Sequence, residues 1–149
     1  MIRLDAALLK PILARHLGSA GVDRESLDHV VDSLMQTSLR GVDSHGIQLF
    51  PHYVRAARAG RINVAPRITI EDTGASTAIL DADHAFGHRA GADAIDHAVD
   101  LAAKTGVGAV IAEEREHEAI FTASGSVTGA LIAAGAKEDG HHIAAEAGS

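Results

Sequence analysis

Between Asp23 and Gly41 the apolar residues Leu27, Val30, Val31, Leu34, Met35 and Leu39 fall at i, i+3, i+4, i+7, i+8 and i+12, a spacing that an α-helix gathers onto one face. Asp23 offers a capping oxygen at the start, and Arg40-Gly41 closes the pattern. A second stripe, Leu4, Leu8, Leu9, Ile12, Leu13 and Leu17, predicts a helix over 4–17 despite Pro11, ended by Gly18 and Gly21. Both apolar faces need a partner. Aromatic residues supply little of it, because the chain has three Phe, one Tyr and no Trp. The core must therefore be built from Ala, Leu, Ile and Val, with 15 glycines among them, which favours elements that approach closely.

The remaining pattern is mixed. A third helix is expected over 47–59, with Pro51 near its first turn and Gly60 after it. Arg67–Glu71 (RITIE) alternates apolar and polar residues, Gly74–Ser76 reads as a turn, and Thr77–Asp81 (TAILD) is the expected hairpin partner. Residues 87–104 form an Ala-rich helix with Ala90, Ala94, Ile95, Ala98, Leu101 and Ala102 inward and Asp93, Asp96, His97 and Asp100 outward. Val107–Ala112 (VGAVIA) is apolar throughout, as a buried central strand would be. The order predicts an α/β or α+β fold: N-terminal helices, then a small mixed sheet packed by the Ala-rich helix. Glu113–Glu118 is an acidic patch, Ser124–Ala136 reads as a Gly-interrupted helix, and 137–149 as a mobile tail. The chain of 149 residues is thus expected to hold one domain over 1–136.

Charge and composition exclude several functions. A formal net charge of -7 argues against nucleic acid as a partner. With no cysteine, disulfides, thiolate metal sites and cysteine nucleophiles are out of reach. No run approaches the ~18 apolar residues of a membrane span, and a cytoplasmic location is expected. His84 and His88, preceded by Asp81 and Asp83, have the spacing of a metal cluster, but Gly87 interrupts it and no metal site is assigned.

The chemistry concentrates in Arg40–Gly46 (RGVDSHG). Asp43, Ser44 and His45 place a carboxylate, a hydroxyl and an imidazole in one loop between two helices, where side chains are exposed on a rigid support. From spacing alone the trio reads either as an acid/base centre or as a helix cap made by Asp43 or Ser44 with His45 incidental. A hydrolase triad does not fit, because adjacent Ser44 and His45 side chains diverge and no nucleophile elbow is present.

The run SLRGVDSHGIQ, followed by Pro51, Tyr53, Val54 and Arg58-Ala59-Gly60-Arg61-Ile62-Asn63, resembles the N-terminal signature of the malate/L-lactate dehydrogenase family. The likeness continues through Ala78–Asp83, Gly87, the Ala-rich helix and Lys104–Val110, covering roughly residues 5–112. The resemblance implies a non-Rossmann fold and a dimeric, NAD- or NADP-dependent oxidoreductase of 2-oxo acids, 2-hydroxy acids or cyclic imino acids. It implies that His45 is the family's catalytic histidine, helped by Ser44 and Asp43, and that His117 matches a second one. Arg40, Gln48 and His52, which flank the motif, are expected at the substrate. Carbonyl reduction leaves negative charge on oxygen that a nearby acid must quench, which a histidine does well near neutral pH.

Three features set the sequence apart from that pattern. Leu49 and His52 stand where relatives often carry a base, and Arg115-Glu116-His117-Glu118-Ala119 replaces an Asn-His-Phe-Gly motif. The resemblance also implies a chain about twice this length, so the expectation is a chain truncated before most of the cofactor-binding half; no G-x-G-x-x-G phosphate loop occurs in these 149 residues. Two other functions stay open: a non-redox isomerase, lyase or cyclase using His45, and a non-catalytic dimerisation subunit.

Overall fold

The computed structural model describes residues 4–114, 117–124, 132–135 and 142–145, with side chains over 4–113. The chain divides into two compact units, Met1–Pro66 with His84–Arg89, and Arg67–Asp83 with Ala90–Ser149.

The first unit holds helices α1 (Ala6–Gly18), α2 (Arg24–Leu39) and α3 (Phe50–Arg58). Asp5 starts α1 by accepting the Ala7 amide at 2.8 Å. Asp23 does the same for α2, taking the Ser26 amide at 2.8 Å and the Ser26 hydroxyl at 3.1 Å. The expected stripe of α2 is buried from Leu27 through Met35, while Leu39 is 64% exposed. With Leu13, Leu17, Val22, Phe50, Ala57 and Phe86 it forms the core of this unit. Helix α1 departs from expectation. Leu13 and Leu17 are buried, but Leu4, Leu8 and Ile12 face outward, because apolar residues on both sides of this helix leave its pattern unable to choose a face. Pro11 sits inside α1, as expected.

Helix α3 begins at Phe50 instead of residue 47, since Ile47–Leu49 winds as a separate 3-10 turn. Pro51 lies in its first turn, where a missing amide costs nothing.

Asp23→Ala removes both bonds to Ser26, whose side chain is fully buried. The variant is expected to lose about 1–2 kcal/mol in chemical denaturation, the usual cost of a lost cap with a stranded hydroxyl.

In the second unit β1 (Thr69–Gly74) and β2 (Thr77–Asp81) pair antiparallel, as the hairpin reading requires, with a register shift between Asp72 and Gly74. β3 (Val107–Glu114) lies parallel to β2, and β4 (His117–Ser124) antiparallel to β3. The sheet order β1-β2-β3-β4 places β3 in the interior, with Val110 fully buried. Helix α4 (Gly87–Thr105) makes the crossover from β2 to β3 and buries Ala90, Ala94, Ala98, Leu101 and Ala102. Gly108 of β3 lies against this helix: a Cβ there would overlap the Ala98 carbonyl oxygen and stand 3.0 Å from the Ala102 nitrogen.

The carboxylates of the Asp81–Asp83 turn hold backbone. Asp81 accepts the Asp83 amide at 2.9 Å, and Asp83 the Arg67 amide at 2.8 Å. Strands β5 (Ile132–Gly135) and β6 (His142–Ala145) pair antiparallel. Ile132–Gly135 is therefore extended where a helix over Ser124–Ala136 was expected. Apart from β6, the expected tail 137–149 lies outside the described residues. Among the described residues no helix is long and apolar enough to cross a membrane.

Candidate functional site

Helix α2 ends at Leu39, and Arg40 caps it with its amide on Gln36 and Ser38 carbonyls. Gly41 then takes a left-handed φ of 82°, a conformation that a side chain resists. The reversal lets the Val42 amide donate to the Thr37 carbonyl at 3.1 Å. Asp43–His45 follows as a single 3-10 turn, with the His45 amide on Val42 and the Gly46 amide on Asp43, both at 3.2 Å. The Ile47 amide returns to α2, donating to Ser38 Oγ at 2.9 Å.

On this turn Asp43, Ser44 and His45 are all exposed. Ser44 Oγ and His45 Nδ1 share a hydrogen bond of 2.9 Å, so the neighbouring side chains converge. The capping alternative does not hold, since α3 has no side-chain cap bond. A hydroxyl can donate to Nδ1 or accept from it, so the pair survives a change of ring protonation. That leaves Nε2 as the nitrogen able to exchange a proton with a bound molecule.

Beside the turn, Leu9, Met35, Leu39, Asp43, Ile47 and Gln48 are among the residues lining a cavity of about 620 Å³. Gln48, on the separate Ile47–Leu49 turn, shares the cavity with Asp43. Arg40 is exposed at the end of α2, and His52 is exposed on α3 with its ring edge-on to Tyr53 at 5.7 Å. His117 lies in β4 opposite Glu114, and its side chain is outside the described residues.

Two residues stand in the sequence reading without the part they play here: Ser38 as the first residue of the SLRGVDSHGIQ run, and His88 as a candidate metal ligand. Ser38 carries only the signal of a hydroxyl in the last turn of a helix. His88 packs edge-on to Tyr53 at 5.0 Å, and its Nδ1 is buried without a hydrogen-bond partner. Burial lowers the pKa of His88 below the ordinary 6.5 and raises that of Tyr53. Because the folded chain resists protonating His88 and the unfolded chain does not, the unfolded state binds more protons across that interval. Stability is expected to be full above about pH 6.5 and to fall as pH drops toward the lowered folded value. His88→Leu should flatten this slope in melts across about pH 5.5–7.5, on the order of one pH unit either side of the ordinary histidine value.

A dinucleotide needs free amides for its pyrophosphate. The N-termini of α1 and α2 are already occupied by Asp5 and Asp23, and among the described residues no glycine-rich loop opens a helix beneath a strand. The N-terminus of α3 carries no side-chain cap bond, so among the described residues it is the α1 and α2 termini that are closed to a phosphate.

The sequence model of the malate/L-lactate dehydrogenase family matches residues 4–136. The malate dehydrogenase of Pyrococcus abyssi is 37% identical over 119 residues, 80% of this chain and 33% of that protein. The L-sulfolactate dehydrogenase of Methanothermobacter thermautotrophicus is 39% identical over 106 residues, covering 71% of this chain and 31% of its own length. Among solved structures, the malate dehydrogenase of Entamoeba histolytica superposes with a TM-score of 0.71 at 31% identity, over 74% of this chain and 31% of that one. The chain thus spans about a third of the length of the relatives it matches. The match runs past residue 112, where the motif likeness stops, and by its extent the chain belongs to the malate/L-lactate dehydrogenase family.

Proposed function

We propose that this chain provides the proton-transfer side of an NAD- or NADP-linked oxidoreductase of 2-oxo acids, 2-hydroxy acids or cyclic imino acids. The observation that carries the reading is the 2.9 Å contact between Ser44 Oγ and His45 Nδ1 on an exposed turn. With Nδ1–H donating to Ser44, Nε2 is the atom where the proton arrives and leaves. In the reducing direction the imidazolium gives its Nε2 proton to the substrate oxygen or nitrogen as charge builds there, and the neutral ring remains. In oxidation the Nε2 lone pair takes the proton back. Asp43 assists from the same turn, His117 is a second proton carrier, and Arg40, Gln48 and His52 hold the substrate's polar groups. No step is assigned to the cofactor.

The reading extends to a homodimer working in the cytoplasm. Leu8 and Ile12 lie four residues apart on the exposed side of α1, an apolar surface that a second copy could cover.

A second reading rests on the same Ser44–His45 contact: His45 moves a proton beside a carbonyl without redox chemistry, as an isomerase, lyase or cyclase does. One experiment separates them. The chain is given a 2-oxo acid and NADH or NADPH, and cofactor oxidation is followed alongside deuterium uptake at the carbon next to the carbonyl. Cofactor oxidation supports the first reading, uptake without cofactor the second, and neither signal removes both.

A further inference from the structure

We propose that Ser38, which also lines the cavity beside the turn, is a positioning residue that sets the Ser44–His45 pair through the turn; the proposal rests on the assignment of proton transfer to His45. Ser38 lies in the last turn of α2, and its Oγ accepts the Ile47 amide at 2.9 Å across nine residues of chain. On the entry side the neighbouring Thr37 carbonyl accepts the Val42 amide at 3.1 Å. The segment Asp43–His45 is therefore anchored to consecutive residues of one helix, before it and after it.

Gly46 makes the second anchor specific. It is buried, and a Cβ on it would overlap Ser38 Oγ and stand 3.0 Å from both Ser38 Cβ and Ser38 nitrogen. The backbone of the motif thus runs directly over Ser38. The remaining turn bonds, on Val42 and Asp43, are each 3.2 Å and close only three residues, so they cannot by themselves orient the turn on the helix. The His45 ring is exposed and bonds to the adjacent Ser44. Its direction is inherited from the backbone, and the backbone is held from α2.

The test is NMR on the full chain with nitrogen-labelled histidine, reading the His45 ring shifts and the exchange rate of the Ile47 amide. Ser38→Ala is expected to speed Ile47 exchange about tenfold and to move the His45 Nδ1 signal toward that of a solvated histidine. Ser38→Thr or Ser38→Asp, each keeping an acceptor oxygen, should restore both. Asp23→Ala serves as control, because it weakens the same unit without contacting the turn. Unchanged His45 and Ile47 signals in Ser38→Ala overturn the proposal, as do equal changes in Asp23→Ala or failure of both oxygen-bearing variants to restore them. If the parent chain shows neither cofactor oxidation nor deuterium uptake, the acid/base assignment falls, while the NMR result still decides whether Ser38 orients the turn.

Discussion

Replacing Gly108 with alanine is expected to destabilise the chain by about 3 kcal/mol, the upper end of ordinary overpacking. The reason is the kind of atom the new methyl meets. It would overlap the Ala98 carbonyl oxygen and stand 2.9 Å from the Ala98 carbonyl carbon and 3.0 Å from the Ala102 nitrogen. These atoms flank one hydrogen bond of the α4 ladder, since the amide of residue i+4 donates to the carbonyl of residue i. A flexible side chain could swing aside; helix backbone cannot. Strand β3 is interior to its sheet, between β2 and β4, so it cannot retreat without breaking ladder bonds on both edges. A melting-temperature drop on the order of 10 °C is the expected readout. Gly106→Ala, two residues earlier, is the comparison. Gly106 has a φ of 88° and open space around its Cα, so alanine there should cost only the left-handed backbone strain, about 1 kcal/mol. Equal losses in the two variants would mean that backbone conformation, and not the approach of α4 to β3, sets the cost at 108.

The difference between these two glycines was not legible in the sequence, which shows only a Gly-x-Gly at a helix-to-strand junction. What was legible had a period. The α2 stripe and the inward alanines of α4 repeat at helical spacing and are buried as expected. The β1–β2 hairpin alternates and pairs as expected, though β1 begins at Thr69, beyond the Pro66-Arg67 stretch. Where the period fails, so does the inference. Leu8 and Leu9, and Ile12 and Leu13, put apolar residues on both sides of α1, and packing alone decides that Leu13 and Leu17 go inward. Around Ile47 a 3-10 turn has nearly the composition of a first helical turn, so the start of α3 was set too early. The alanines and glycines after Ser124 have no usable period, and Ile132–Gly135 proved extended.

The candidate site divides along the same line. Asp43, Ser44 and His45 stand out by residue type, and sequence places them in a loop. Their convergence does not follow from sequence, because adjacent side chains diverge in most backbones. It arises because Gly41 reverses the chain and Ser38 receives Ile47. Those are contacts between residues whose types, hydroxyl and glycine, are common in any helix end.

His45→Ala is expected to lower the turnover of a 2-oxo acid, or its deuterium uptake, by about 10²–10⁴-fold, the range contributed by a positioned general acid or base. The size of the loss tests whether the proton passes through this ring. Truncation to alanine leaves a gap that water can enter, and a proton from water is a poorer substitute because it is neither oriented nor charged. Ser44→Ala should have a smaller effect, on the order of tenfold, since it removes the 2.9 Å bond that fixes which ring nitrogen is presented but leaves the imidazole. A substrate affinity change with an unaltered maximal rate in His45→Ala would reassign the ring to binding alone. The sequence of effects also distinguishes chemistry from folding. His45 and Ser44 are exposed, so neither substitution opens a cavity, and both variants should melt within about 0.5 kcal/mol of the parent chain. A large rate loss without a stability loss places His45 at the reacting atoms; a proportionate fall in both would make it a structural residue of the turn.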